Sequence, residues 1–358
     1  MEGTFWLAAH PYKILLALFG FIPFNFKMRF TKRTRIFHIA YLLILILTIF
    51  AIANCRLNFI KAKHHNKVNF MVNLIRVILR VAGLLVIYIE SFLKYGVICV
   101  AHERLNNALE QMKQKFNIVS YHKQIKLKCL QYSGVLLLLD LISFGLNAIF
   151  ITTYLWFTWG TVFCLDLSMR LKCVQYCIFL QSLITAQTEA QSAARKLIVL
   201  LKNANSGNTT LILKRIKAFQ EIQSEMWYSS KMLNIYFSWS NLVIFLIFYY
   251  LVAIQSYWLV INASRVTLLR IIGIYASIIL LPCWLCQARM RSKIRRIIFG
   301  MEYNGCSPLV HSAVKELSFQ MHHQRPTFSA GENDLKIWKN FKLFVVPQFS
   351  INFCENGL

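Results

Sequence analysis

Glu90 and Lys94 stand four residues apart inside a long apolar run, with the carboxylate first. On a helix that spacing puts both on one face. The ion pair then offsets part of the cost of carrying charge into hydrocarbon, roughly 2.5–3.5 kcal/mol for each group. Asp140 and Arg270 sit singly inside other apolar runs, and each must face protein or water rather than lipid. Structural pairing and contact with a ligand or an ion path are both open to such groups. Catalytic chemistry has no support: G-x-G-x-x-G, Walker A, G-x-S-x-G and H-E-x-x-H patterns are all absent, so no enzyme is expected. Cys283 and Cys286 form a C-x-x-C, and Cys173 and Cys177 lie four apart, but a metal would need two further ligands nearby. His322 and His323 are far along the chain. These cysteines read as small apolar packing residues, with no metal or cofactor.

The elements that hold these groups are six apolar runs, at 36–55 and roughly 78–100, 130–151, 153–180, 239–261 and 266–287. Each is about 20 residues or more, the length that crosses a hydrocarbon core of roughly 30 Å at 1.5 Å per helical residue. Composition agrees: 57% of the chain is apolar and only 15% charged, against about 25% charged in an ordinary soluble domain. Mean hydropathy is +0.50. The fold expected is therefore all-α, a polytopic helical membrane protein. The formal charge of +26 lies between the runs rather than along one soluble face, and no nucleic-acid-binding motif accompanies it. Membrane lipid is the expected partner and nucleic acid is not.

Basic residues before the first run (Lys27, Arg29, Lys32, Arg33, Arg35), between the second and third, between the fourth and fifth, and after the sixth place alternate loops on one side. Short basic loops stay cytoplasmic, so the amino terminus is expected inside. One loop breaks the rule: the first outer loop carries Arg56, Lys61, Lys63, Lys67 and Arg76. Asn262-Ala263-Ser264 is a glycosylation acceptor in a predicted outer loop, whereas Asn208-Thr209-Thr210 falls in a predicted inner one. Residues 14–24 read as an interfacial helix at the inner leaflet, because a basic segment rather than a cleavage site follows.

Aromatic residues gather toward the outer ends: Phe150, Tyr154, Trp156, Phe157 and Trp159, then Tyr249, Tyr250, Tyr257 and Trp258, with Gln255 among them. An interfacial anchoring belt is one reading and a pocket for small apolar or cationic molecules the other. The segment 187–235 is helical in period, broken at Asn203 to Asn208, so the fourth and fifth helices are expected to run on past the membrane. Ala313, Val314, Leu317 and Met321 give a helical repeat after the sixth run.

That last stretch continues from Glu316-Leu317 through Gln320 and His323 to Phe328, Ala330 and Gly331. The block is similar to the E-L-x-x-x-Q-x-x-H-x-x-x-x-F-x-A-x-G pattern that follows the sixth helix of insect gustatory receptors. Size, basic loops and the long fourth-to-fifth linker resemble that family as well, over about residues 1–331. The resemblance implies a ligand-gated cation channel subunit in the plasma membrane. It implies detection of a small-molecule tastant, and homo- or hetero-tetramers with related receptors. Phe150, Trp156, Trp159, Tyr250, Gln255 and Trp258 are the ligand-binding residues expected on that basis.

The family continues into a seventh, pore-lining helix. Here Glu332, Asp334, Lys336 and Lys339 interrupt the sequence, Pro347 follows, and the longest apolar stretch is Leu343 to Val346. Six clear transmembrane helices are expected, with the seventh missing or degenerate. Gly331-Glu332-Asn333 can be encoded as GGT GAG AAT, which contains a typical intron start. Residues 332–358 thus read as translated intron or as a genuine alternative end. The organisation expected is a cytoplasmic amino terminus at 1–35, a transmembrane unit at 36–287 including the cytoplasmic 187–235 linker, a cytoplasmic family-like block at 288–331, and an atypical tail at 332–358. A non-conducting accessory or inactive truncated receptor is the first alternative. A G-protein-coupled receptor is the second, and the basic amino-terminal segment disfavours it.

Overall fold

A computed structural model describes residues 14, 16–21, 32–63, 67–118, 127, 131, 134, 138, 156–202, 209–262 and 308–324. Of the six runs, those at 130–151 and 266–287 lie outside these residues apart from isolated helical positions, as do Asp140, Arg270, Cys283 and Cys286. The described residues form six helices and no strand: α1 Lys32–Lys63, α2 Lys67–Leu93, α3 Tyr95–Phe116, α4 Trp156–Lys202, α5 Thr209–Asn262 and α6 Pro308–His323. Three described segments are long and apolar enough to cross a membrane, Ile36–Asn58, Phe70–Leu93 and Thr209–Leu251.

α1 shows its lipid-facing character directly. Ile36, Phe37, Leu43, Ile44, Leu47 and Phe50 are exposed, while Leu42, Ile49 and Ala53 turn inward. A chain in water would not present so broad an apolar face. α4 and α5 have 47 and 54 residues. At 1.5 Å per residue they reach about 70 and 80 Å, more than twice a hydrocarbon core, so both run on well past it.

α5 is the hub, packing against α2, α3, α4 and α6. Direction follows from the bridges. Gly83 of α2 meets Val243 and Ile247 of α5, Glu90 meets Ser240, and Arg104 of α3 meets Glu225. Rising numbers on α2–α3 match falling numbers on α5, so they are antiparallel. Arg80–Asp166 and Ser91–Lys172 make α2 and α4 parallel. The end of α1, the starts of α2 and α4 and the end of α5 therefore share one end of the bundle, here called the first end.

The second apolar run reads as one span, but the structure breaks it. Lys94 has φ −99° and ψ 14°, outside the helical basin, and separates α2 from α3. α3 ends at Asn117, in the left-handed conformation (φ 54°) that asparagine tolerates, with its N–H donated to the Lys113 carbonyl. Lys196 of α4 donates to the carbonyls of Phe116 and Asn117 at 2.7 and 3.1 Å, satisfying that helix end across the bundle.

Of the interfacial stretch at 14–24, Leu16, Ala17 and Phe21 are buried and Ile14 and Leu18 exposed. Gly20, at φ +73°, lets the turn press on α1: a Cβ there would lie 2.8 Å from Leu42. Phe21 stacks on Tyr88 of α2 at 5.6 Å, and the Tyr41 hydroxyl donates to the Leu18 carbonyl. α6 starts with Pro308, whose missing N–H costs nothing at a first helical position. It docks Val310, Val314 and Leu317 on α5 with Ala313 beside them; Ala313, Val314 and Leu317 belong to the predicted repeat, whereas the Met321 side chain lies outside the described residues, and Gln320 donates to the Gln220 carbonyl at 3.1 Å.

Candidate functional site

Two layers of charge cross the bundle. The inner layer lies at the α2–α3 break. Glu90 and Lys94 pair at 3.0 Å, as their spacing predicts. Their further partners are on α5. The Glu90 carboxylate accepts from the backbone N–H groups of Trp239 (3.0 Å) and Ser240 (2.7 Å) and from the hydroxyls of Ser238 (3.2 Å) and Ser240. The Lys94 ammonium donates to the Ile235 carbonyl (2.8 Å) and to Ser238 (3.0 Å). In an uninterrupted helix the Ile235 carbonyl and the Trp239 N–H belong to each other. The ion pair gives each a charged partner as well, so Glu90 and Lys94 grip the backbone of α5 from across the bundle.

Lys172 of α4 lies one helical layer away and is fully buried. It donates to the Ser91 hydroxyl at 2.7 Å. The rings of Tyr236, Phe237 and Phe21 surround its ammonium, with centroids at 4.2, 4.8 and 5.6 Å. An ammonium held by aromatic faces is stabilised by their quadrupoles, by about 2 kcal/mol or more where desolvated.

The outer layer lies nearer the first end. Arg80 of α2 forms an ion pair with Asp166 of α4: Nη2 donates to Oδ2 at 2.8 Å, and Nε lies 2.8 Å from Oδ1. Arg56 of α1 is within electrostatic reach of Arg80. Arg76, one turn before Arg80, acts on the Tyr250 hydroxyl of α5. Arg170, one turn after Asp166, lies over the Phe248 ring at 6.0 Å. Guanidinium groups from α1, α2 and α4 thus lie at this level of the bundle.

Of the residues expected to bind ligand, Tyr250 is half-buried on α5 beside this layer. Trp156 and Trp159 open α4, and Gln255 and Trp258 lie in the last turns of α5, so the backbone brings all four to the first end. Their side chains, and Phe150 entirely, lie outside the described residues. Asn262 closes α5 at the same end. Of the family-like block, Glu316, Leu317, Gln320 and His323 are on α6, with Leu317 buried and His323 against Phe319 at 4.3 Å. Phe328, Ala330 and Gly331 lie outside the described residues. Cys173 and Cys177 are buried and form no disulfide.

Sequence reasoning passed over Lys172, Arg80, Asp166 and Arg170. The signal was present: Asp166 and Arg170 have the same i, i+4 spacing that singled out Glu90 and Lys94.

A family model described as "7tm Chemosensory receptor" matches residues 9–332. The chain is 24% identical over 161 residues to the Drosophila melanogaster protein named "Putative gustatory receptor 98a", a match spanning 40% of this chain and 41% of that one. The chain thus matches less than half of that relative's length. The insect olfactory receptor OR5 from Machilis hrabei has a similar fold: TM-score 0.59, 12% identity, 97% of both chains covered. The structure of OR5 in complex with eugenol matches equally, with TM-score 0.59 and 97% coverage.

Proposed function

The chain belongs to the 7tm chemosensory receptor family, and from that membership we propose that it is a gustatory receptor subunit of a ligand-gated cation channel in the plasma membrane. The observation that carries the reading is the family match over residues 9–332, together with a fold shared along nearly the whole chain with an olfactory receptor. In this reading the amino terminus is cytoplasmic and the first end of the bundle faces outside. A small tastant enters there among Trp156, Trp159, Tyr250, Gln255 and Trp258. Binding shifts the receptor toward its open state only by the difference in affinity between the two states. Receptors of related sequence complete a tetramer with it.

The inner layer is the natural coupling element. α5 carries candidate ligand residues at one end and contacts α6 near the other, and Glu90 and Lys94 hold the turn between them. The test is co-expression with a complete relative, with cation current recorded as tastants are applied. New ligand responses support the reading, and unchanged responses at verified surface expression refute it. A non-conducting accessory subunit is the second reading. The charges at Glu332, Asp334, Lys336 and Lys339, which interrupt the sequence directly after the family-like block, favour it. In that case co-expression changes response amplitude without adding a ligand.

A further inference from the structure

Cations from three helices meet at the far end of α3. The Lys196 ammonium of α4 donates to the Phe116 carbonyl at 2.7 Å and to the Asn117 carbonyl at 3.1 Å. The Arg215 guanidinium of α5 lies over the Phe116 ring, 5.6 Å from its centroid, and that ring meets Phe219 edge-on at 6.1 Å. Lys113 and Lys115 stand in the last turn of α3 itself, both exposed. A lysine near a helix C-terminus complements the dipole and the bare carbonyls, which accounts for Lys196. It does not account for Arg215, half-buried on another helix, whose side chain has only the phenyl ring as a partner among the described residues. The described ion pairs, Arg80–Asp166, Glu90–Lys94 and Arg104–Glu225, use none of these cations. Glu110, one turn before Lys113, accepts from Gln114 at 3.2 Å instead, and Glu189 of α4 is buried.

Helix rise sets this cluster apart from the bilayer. On α5 the Lys231 ammonium lies over the Trp227 ring at 5.5 Å, and Arg104 of α3 lies over Tyr228 at 5.3 Å. Trp and Tyr beside basic residues mark a headgroup level. Tyr228 and Trp258 are 30 residues apart on α5, about 45 Å of helix, which matches a bilayer with its headgroups. Arg215 stands 13 residues further out than Tyr228, about 20 Å beyond that level. α3 covers nearly the same distance, with 12 residues and about 18 Å from Arg104 to Phe116. Charge is screened over about 8 Å in physiological salt, so the cluster neither reaches the lipid headgroups nor senses them. An anion that neutralises it comes from solution. Several cations around one helix end favour a compact solute of high negative charge over a single carboxylate. The planar arginine fork and the lysine point charges both suit phosphate oxygens.

We propose that Lys113, Lys115, Lys196 and Arg215 form a binding site for a soluble polyphosphate, such as an inositol polyphosphate or a nucleoside triphosphate. The bound anion ties α3, α4 and α5 together at the second end of the bundle. α5 carries the candidate tastant residues at its other end, so this site gives the receptor a regulator that is separate from its tastant. The proposal goes beyond the gustatory reading and rests on it only for placing the second end in the cytosol.

The test is equilibrium binding to the full chain in phosphatidylcholine nanodiscs, with inositol hexakisphosphate and ATP as probes. At least one of them should bind saturably and raise the melting temperature. Arg215→Gln, and Lys113→Gln combined with Lys115→Gln, should each weaken binding by roughly tenfold, as loss of a charged hydrogen bond does. Arg215→Lys should keep part of the affinity, and an unchanged melting temperature without ligand separates lost binding from lost folding. Lys231→Gln, at the headgroup level, should leave binding as it was. Binding of neither probe overturns the proposal. An equal loss in Lys231→Gln does so too, because the attraction is then that of a basic chain as a whole. Capture only by discs containing phosphatidylinositol bisphosphate, with no soluble probe bound, assigns the cluster to lipid and overturns it. Preference for polyglutamate over both probes assigns it to an acidic protein segment, with the same result. Polyphosphate binding by a chain that gives no evoked current would refute the channel reading and leave the site standing. Evoked current from a chain that binds no polyphosphate would do the reverse.

Discussion

Gly83 gives the sharpest test of the packing at the centre of the bundle. A Cβ built there lies 2.3 Å from Cδ1 of Ile247 and 3.0 Å from Cγ1 of Val243. Carbon atoms rest at about 3.5–4.0 Å, so in Gly83→Ala the Ile247 methyl must retreat by more than an ångström. Ile247 is buried, and a dense core has no room for that retreat without displacing neighbours. Overpacking of this kind costs about 1–3 kcal/mol, while the helix gains at most about 0.5–1 kcal/mol from losing a glycine. The net expectation is a loss of about 1–2 kcal/mol. Ile247→Val deletes the clashing atom and alone costs about 0.5–1.5 kcal/mol. In the double variant the new methyl occupies the vacated volume. It should be more stable than the sum of the single effects by about 1–2 kcal/mol, within the range seen for residues in contact. Apparent melting temperatures of the four proteins in detergent micelles, taken as a cycle, measure this. Strict additivity would show that α2 and α5 do not approach at Gly83 and would refute the helix crossing.

Three further expectations follow from single sites. His102 of α3 is buried beyond the apolar run and accepts from Asn106 at 2.8 Å; burial pushes it down to about 4 from the ordinary 6.5. The unfolded chain therefore binds a proton that the folded one refuses, so stability should fall as pH drops from about 6.5 toward 4, and His102→Gln should flatten that slope in pH-dependent melting curves. Leu317→Ala on α6 removes buried contact and should loosen the helix by about 2–4 kcal/mol, read as faster tryptic cleavage at Lys315 with the rest of the chain protected. Asn262 should carry a glycan when the chain is made in insect cells; a mobility shift on glycosidase treatment, abolished by Asn262→Gln, checks the orientation, and the same shift from Asn208 instead would invert it.

Much of this was legible in the sequence because its causes are local. The Glu90–Lys94 pair follows from spacing, the docked face of α6 from its repeat, and the extension of α4 and α5 past the membrane from a helical period that outlasts the apolar runs. The break at Lys94 was not legible, because its cause is distant: the ammonium leaves its own helix axis for the Ile235 carbonyl, 141 residues away. Arg80, Asp166, Arg170 and Lys172 were hidden by averaging. A run of 20 residues stays apolar with one or two charges in it, and their meaning emerges only when neighbouring helices set them face to face. Arg56 and Arg76 stood out only as exceptions to a charge rule, and the packing of α1, α2 and α4 gives those exceptions a place.

The central claim is that this chain is a working subunit of a ligand-gated channel. The most direct measurement is whole-cell recording from cells expressing a complete relative with and without this chain, at matched surface levels, across a panel of tastants. The account predicts a cation current, evoked by at least one compound, that the relative alone does not give. Identical currents in both cells for every compound would contradict it.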